Sequence, residues 1–232
     1  IRHSALNSFN SGVRDLSDVL HKSVPDDERV HLRGFMCKPL ALLAAPFEEG
    51  MLIDHDITFL SNPLTLFDSS PYTRTGMLIF RDRSKLFIRG QPLKDSSRFL
   101  RLLVRRRLLS REFLADAVQP PLSNYDWQPS TELLDSPMLS GESSHATDSS
   151  LLLISKRRAP LAIAALYALH ERHRYELYAH LHGDKETYWL ACALGGEPEC
   201  GISPLAAGEM GTGTPGGTAS CVVGNLMQFH PD

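Results

Sequence analysis

Met51-Leu52-Ile53 is an apolar run that stops at Asp54-His55-Asp56 and resumes as Ile57-Thr58-Phe59-Leu60 before the turn Ser61-Asn62-Pro63. A short buried strand that delivers two acids at its exit confines the chain to architectures in which the end of a sheet carries the chemistry. The pattern recurs. Gly76-Met77-Leu78-Ile79-Phe80 reads as a second buried strand that runs into Arg81-Asp82-Arg83, and Leu151 to Ile154 as a third. Helices intervene. From Lys38 to Ala45 the run has Pro39 near its start, strong helix formers after it and a stop at Pro46. Pro160 opens an Ala/Leu-rich helix to His170, and Asp184 is placed to cap a helix from Lys185 through Trp189-Leu190-Ala191 to Gly195-Gly196. Gly208 to Gly217 reads as a flexible loop and Ser220 to Val223 as a last short strand. This alternation predicts an α/β domain on a mostly parallel, Rossmann-like sheet flanked by helices, with ligands at the carboxyl ends of the strands.

With 232 residues, 42% of them hydrophobic, the chain can bury one sizeable core, so residues 1–232 are expected to form a single domain. Residues 1–33 read as a polar lead-in, and 90–147, with a basic helical stretch from Arg98 to Arg111 and a Pro/Ser/Asp-rich loop, as an insertion. A net charge of -3 gives no global positive field, and the aromatic interleaving of the basic stretch is sparse; nucleic acid is not an expected partner. No apolar run approaches the roughly 20 residues of a membrane helix, so membrane attachment is expected only through a segment absent from this chain. The first residue is Ile1 rather than Met, and the chain reads as truncated at its N-terminus. The four cysteines lack zinc spacing; Cys200 and Cys221 flank the Gly-rich tract and suit a disulfide in an oxidising lumen, while Cys37 and Cys192 read as buried thiols.

Asp54 and Asp56, one residue apart on an extended strand, point to one side and can share a hard cation, with His55 on the other side. Mn²⁺ or Mg²⁺ held by few carboxylates keeps positions open for phosphate oxygens and neutralises charge as a sugar–phosphate bond breaks. Met51 to Thr58 also fits the strand and D-x-D-x-T of haloacid-dehalogenase-like phosphatases, with Asp54 as nucleophile and Asp56 as general acid/base, although the second spaced acid that chemistry needs is missing downstream. Asp184, Lys185 and Glu186 at a helix start could hold sugar hydroxyls, as could Asp148 and Ser149 before a strand. Lys38, Asp82 and Arg83 are candidates for phosphate or acceptor contacts, and His182 and His230 stay open as further metal ligands.

The stretch K-P-L-A-L-L-A-A-P-F-E-E-G-M-L-I-D-H-D-I-T-F-L-S-N-P-L-T-L-F resembles the fungal-type Golgi α-mannosyltransferase family. Further matches follow in order: Asp82-Arg83 after a strand, Asp148-Ser149-Ser150 before one, Gly183-Asp184-Lys185-Glu186-Thr187-Tyr188-Trp189, and Gly224 to Gln228. The resemblance implies a GT-A-like fold and a retaining, metal-dependent glycosyltransferase that moves a hexose, mannose from GDP-mannose in the best-known members, to a glycan acceptor hydroxyl. It further implies Mn²⁺ or Mg²⁺ on Asp54 and Asp56, catalytic roles for Asp184, Lys185 and Glu186, and a Golgi-lumenal domain on a type II anchor. Two departures are visible. Ser150 stands where the family has Gly, and the region of the first nucleotide-binding strand is truncated. A non-catalytic sugar-binding relative is therefore the third reading.

Overall fold

Three strands form the sheet that positions everything else. In the computed structural model, which describes residues 34–83, 135, 137–140, 145–171, 174–195, 200–213 and 222–232, β1 (Glu49–Ile53) and β2 (Met77–Arg81) flank β3 (Thr147–Ser155). Both pair with β3 antiparallel. This corrects the parallel sheet expected from sequence: the described sheet is small and antiparallel, within a mixed α/β chain. The reason is physical. β3 is buried on both faces, so it reads as a continuous apolar run, and burial alone carries no information about strand direction. A parallel pairing survives only as an isolated bridge between Ile79 and Ile202 among the described residues.

Helix α1 (Cys37–Ala44) precedes β1, and α2 (Ser70–Thr75) precedes β2 after a 3₁₀ turn over Pro63–Asp68. The short α3 (Pro137–Ser140) leads towards β3, which is followed by α4 (Pro160–Glu171), α5 (Arg174–His180) and α6 (Thr187–Leu194). Every residue of α6 is buried. Gly195 lets α6 approach α4 closely, since a Cβ there would lie 2.6 Å from the Ala162 backbone nitrogen. The main core gathers β2 and β3 side chains with Ala162, Leu166, Tyr188 and Trp189. The C-terminal carbonyls of α1 are satisfied from the sheet: Lys156 Nζ donates to Leu43 O and Ala45 O. Burial pushes the Lys156 ammonium below its ordinary pKa.

Several local expectations change. The strand after the acids does not form: β1 ends at Ile53, and the Ile57 N–H donates to Asp54 O at 3.2 Å, closing a turn over residues 54–57. Asp148 and Ser149 lie within β3 rather than before it. The helix expected from Lys185 begins at Thr187. Part of the Gly-rich tract is strand β4 (Gly208–Gly213), paired antiparallel with β5 (Val222–Met227), because a partner strand overrides the weak intrinsic preference of glycine. Cys200 pairs with Cys192, not Cys221, so Cys192 is not the buried thiol expected, whereas Cys37 lies outside the disulfide and is partly buried. The lead-in 1–33 and the basic stretch 98–111 lie outside the described residues, as does most of 90–147.

Candidate functional site

A register shift in the sheet builds the site. Ile79 of β2 faces Leu152, but the next residue, Phe80, faces Asp148, so Ser149, Ser150 and Leu151 of β3 have no counterpart on β2. Such bulges re-aim side chains at a sheet's functional end. On the other side β1 still follows β3, Ile53 facing Leu151, and the Asp54 N–H donates to Ser150 O at 2.8 Å. The acidic turn after β1 is thereby fixed beside the bulge.

Six segments then meet. Lys38 of α1 donates from Nζ to Asp54 Oδ2 at 2.7 Å and to Ser149 O at 3.4 Å. Ser149 Oγ donates to Asp184 Oδ1 at 3.3 Å, and Tyr188 OH to Asp184 Oδ2 at 2.9 Å. Lys185 Nζ donates to Asp82 Oδ2 at 3.0 Å and stands 3.9 Å from Asp148 Oδ1. Asp82 also accepts from the Arg83 backbone N–H at 2.7 Å, with the Arg83 side chain 3.8 Å away. Asp148 Oδ2 accepts from Ser150 Oγ and, at 3.2 Å, from Gln228 Nε2.

The turn before α6 owes its shape to Gly183, at φ 69°, over which the Phe35 ring packs: a Cβ there would lie 2.6 Å from that ring. Glu186 clamps the turn to β3. Its carboxylate accepts from the Ala146 N–H at 3.0 Å and from the Trp189 indole, while Thr147 Oγ1 donates to Lys185 O at 2.8 Å. Burial dominates the electrostatics. It pushes the Glu186 carboxyl up to about 7 and raises Asp184 against the opposing pull of Lys38 and Tyr188. Burial acts on Asp82 the same way, but the hydrogen bonds from Lys185 and the Arg83 N–H outweigh it and hold that carboxyl below its ordinary value.

The fold thus brings together Lys38, Asp54, Asp82, Arg83, Asp148, Ser149, Asp184, Lys185 and Glu186 from sequence-distant positions. Asp184 and Glu186 are buried, with their carboxylates engaged by protein donors, whereas Lys185 is partly exposed. Asp56 and His55 are exposed in the turn, so strand alternation no longer fixes their directions. His182 packs its ring against Phe35 and His145, and His230 is exposed beside Asp232. Among the described residues no group of three His, Cys, Asp or Glu side chains is placed to hold a metal ion. Asp54 and Asp56 carry the hard carboxylate oxygens that Mn²⁺ or Mg²⁺ prefers, and one of these, Asp54 Oδ2, is engaged by Lys38. Tyr188 and Gln228 are not among the site residues expected from sequence, although both lie in segments that carry the family resemblance, Gly183 to Trp189 and Gly224 to Gln228.

A protein-family model described as "Mannosyltransferase putative" matches residues 11–226. "Putative alpha-1,3-mannosyltransferase MNN14" of Candida albicans is 28% identical over 183 residues, covering 75% of this chain and 23% of its own length. "Putative alpha-1,3-mannosyltransferase MNN13" of the same organism is 27% identical, covering 77% of the chain and 21% of its own length. "Probable alpha-1,3-mannosyltransferase MNT4" of Saccharomyces cerevisiae is 22% identical over 201 residues, covering 85% and 32%. The chain therefore spans between a fifth and a third of the length of these relatives.

Proposed function

The chain belongs to the mannosyltransferase family whose model it matches over residues 11–226, and from that premise we propose that it transfers mannose from a nucleoside-diphosphate donor, GDP-mannose, to a glycan hydroxyl with retention of configuration. What supports the reading is the convergence of the acidic turn after β1, the end of β2, the bulge in β3 and the turn before α6 on one linked set of charges. The family match also favours this chemistry over the phosphatase reading of the same acids.

In this reading Lys38, Arg83 and Lys185 meet phosphate or acceptor oxygens, and Asp148 and Ser149 hold sugar hydroxyls. Asp184 and Glu186 act by position: one holds Ser149, the other pins the turn that carries Lys185. Asp54 and Asp56 would hold Mn²⁺ or Mg²⁺, which supplies positive charge against the leaving diphosphate. Retaining transfer requires no protein nucleophile, because the departing diphosphate can itself take the acceptor's proton on the same face. Positioning and electrostatics then supply the rate. The setting is the Golgi lumen, with a type II anchor in the full-length protein.

The test is a screen of nucleotide sugars with the full-length protein, with and without Mn²⁺. We expect mannosyl transfer from GDP-mannose, its loss in EDTA, and a fall of at least about 10²-fold in Asp56→Asn with the fold intact. Near-wild-type transfer by Asp56→Asn, together with indifference to EDTA, would overturn the metal assignment. Phosphate release from simple phosphomonoesters would favour the phosphatase, and sugar binding without either reaction the non-catalytic relative.

A further inference from the structure

Gln228 stands just past β5, in the second sheet, yet its side chain reaches the first. Nε2 donates to Arg81 O at 3.1 Å and to Asp148 Oδ2 at 3.2 Å. These two acceptors fix the orientation of the amide, since exchanging its ends would set oxygen against oxygen. The acceptor end, Oε1, is buried without a hydrogen-bond partner among the described residues. The side chain is therefore used for its donors alone.

The target of those donors matters. Asp148 sits where the register of β2 against β3 shifts, opposite Phe80, and Ser150 Oγ donates to the same Oδ2 that Gln228 contacts. With Oδ2 occupied by both, the carboxylate cannot rotate freely, and Oδ1 is held towards Lys185 Nζ at 3.9 Å. The second tie, to Arg81 O, lies one residue before Asp82, the other carboxylate that Lys185 contacts. One amide thus braces both acids that flank Lys185.

We propose that Gln228 is a positioning residue for sugar transfer, which fixes the rotamer of Asp148 and with it the spacing of Asp148, Lys185 and Asp82. The proposal rests on the reading that Asp148 meets the donor sugar. It also gives the β4–β5 pair a task in the site, as the support from which Gln228 reaches Asp148.

Kinetics of the full chain separate this role from mere space-filling. Gln228→Glu preserves shape but places acceptors against Arg81 O and Asp148; Gln228→Met removes the donors without adding repulsion. Positioning by donation predicts that Glu is the worse variant, whereas space-filling predicts that Glu, the closer isostere, is nearly wild-type. Gln228→Met should lower kcat/KM for mannosyl transfer about 10-fold, roughly the worth of a hydrogen bond to a charged group. In the Asp148→Asn background the same change should cost less than about 2-fold, because residues acting as a unit are not additive. Thermal unfolding is followed in parallel, and Gln228→Asn replaces Met in the cycle if Met does not fold. Multiplicative losses, or Glu better than Met, overturn the proposal and leave the function standing. Asp148→Asn with full activity overturns both the role of Asp148 and this one. A wild-type protein that neither transfers nor binds GDP-mannose overturns the functional reading first.

Discussion

Lys185 holds apart two carboxylates that would otherwise repel. Asp82 is almost wholly buried, with 5% of its side chain exposed against 27% for Lys185, and a buried carboxylate without a cationic partner is costly. The Arg83 backbone N–H stays with Asp82 if Lys185 is lost, so the cost is that of one charged hydrogen bond rather than of a fully orphaned ion. Lys185→Met should therefore lower the unfolding free energy at neutral pH by about 2 kcal/mol. The sign of its pH dependence follows from the depressed Asp82 carboxyl. A lowered carboxylate stabilises the fold above the unfolded value of 3.8 and loses that stabilisation as pH falls through the lower folded value. Urea unfolding of wild type and Lys185→Met should thus differ most near neutrality and converge under acid. An equal gap at all pH values would mean that Lys185 contributes by packing its alkyl stem.

The start of α6 joins two buried titrations of opposite sign. Thr187 Oγ1 donates to Asp184 O at 2.6 Å, so it accepts from His170 Nε2 at 2.8 Å, and His170 Nδ1 lies 2.8 Å from Tyr178 OH. Burial pushes His170 down to about 3 from 6.5, so the folded protein holds the imidazole neutral. Between those values the unfolded chain binds the proton and the folded one does not, so this group makes stability rise with pH. Glu186, raised from 4.5 to about 7 by burial, does the reverse: the folded protein keeps a proton that the unfolded chain has lost. From pH 4.5 to 6.5 the two oppose each other. Relative to the wild type, Glu186→Gln should therefore tilt the profile towards stability rising with pH across that window, and His170→Gln should tilt it towards stability falling. Urea midpoints at half-unit pH intervals check this, and parallel slopes in all three proteins would refute it. These elements were legible in part. The helices from Lys38 and Pro160 lie within a residue of where their prolines place them, because proline and apolar composition act locally. α6 starts two residues later than its sequence suggests because its cap is not the Asp184 side chain: Asp184 accepts Thr187 through its backbone, while its carboxylate turns inward to Ser149 and Tyr188.

At the scale of the molecule, the residues that the fold brings together are easier to read from sequence than the sheet that carries them. Asp82, Asp148 and Lys185 sit in short motifs whose order can be followed along the chain, while strand direction and the bulge at Ser149 depend on pairings that apolar runs do not encode. Cysteine pairing failed for the same reason, since proximity across a Gly-rich tract says nothing about which thiols the fold brings together. The Cys192–Cys200 disulfide has a definite place in the architecture. Cys192 lies in α6, just beyond the turn bearing Lys185, and Cys200 leads into Gly201–Ser203, which lies along β2 with Ile79 N donating to Gly201 O at 2.7 Å and Ser203 N to Ile79 O at 2.8 Å. Ser203 O in turn accepts from Arg81 Nε at 3.0 Å, one residue before Asp82. The cross-link therefore ties the helix behind Lys185 to the strand that presents its partner. Its sequence separation is 8, and closing so short a loop is worth about 2–3 kcal/mol on the chain-entropy account. Cys192→Ala should lose about that much stability, and the wild type should lose as much on complete reduction while the variant does not respond to reductant. Urea midpoints with and without reductant measure this, and a non-reduced peptide map should link Cys192 to Cys200. A wild type indifferent to reductant, or a map linking Cys200 to Cys221, would remove the disulfide from the account of how α6 is held against β2.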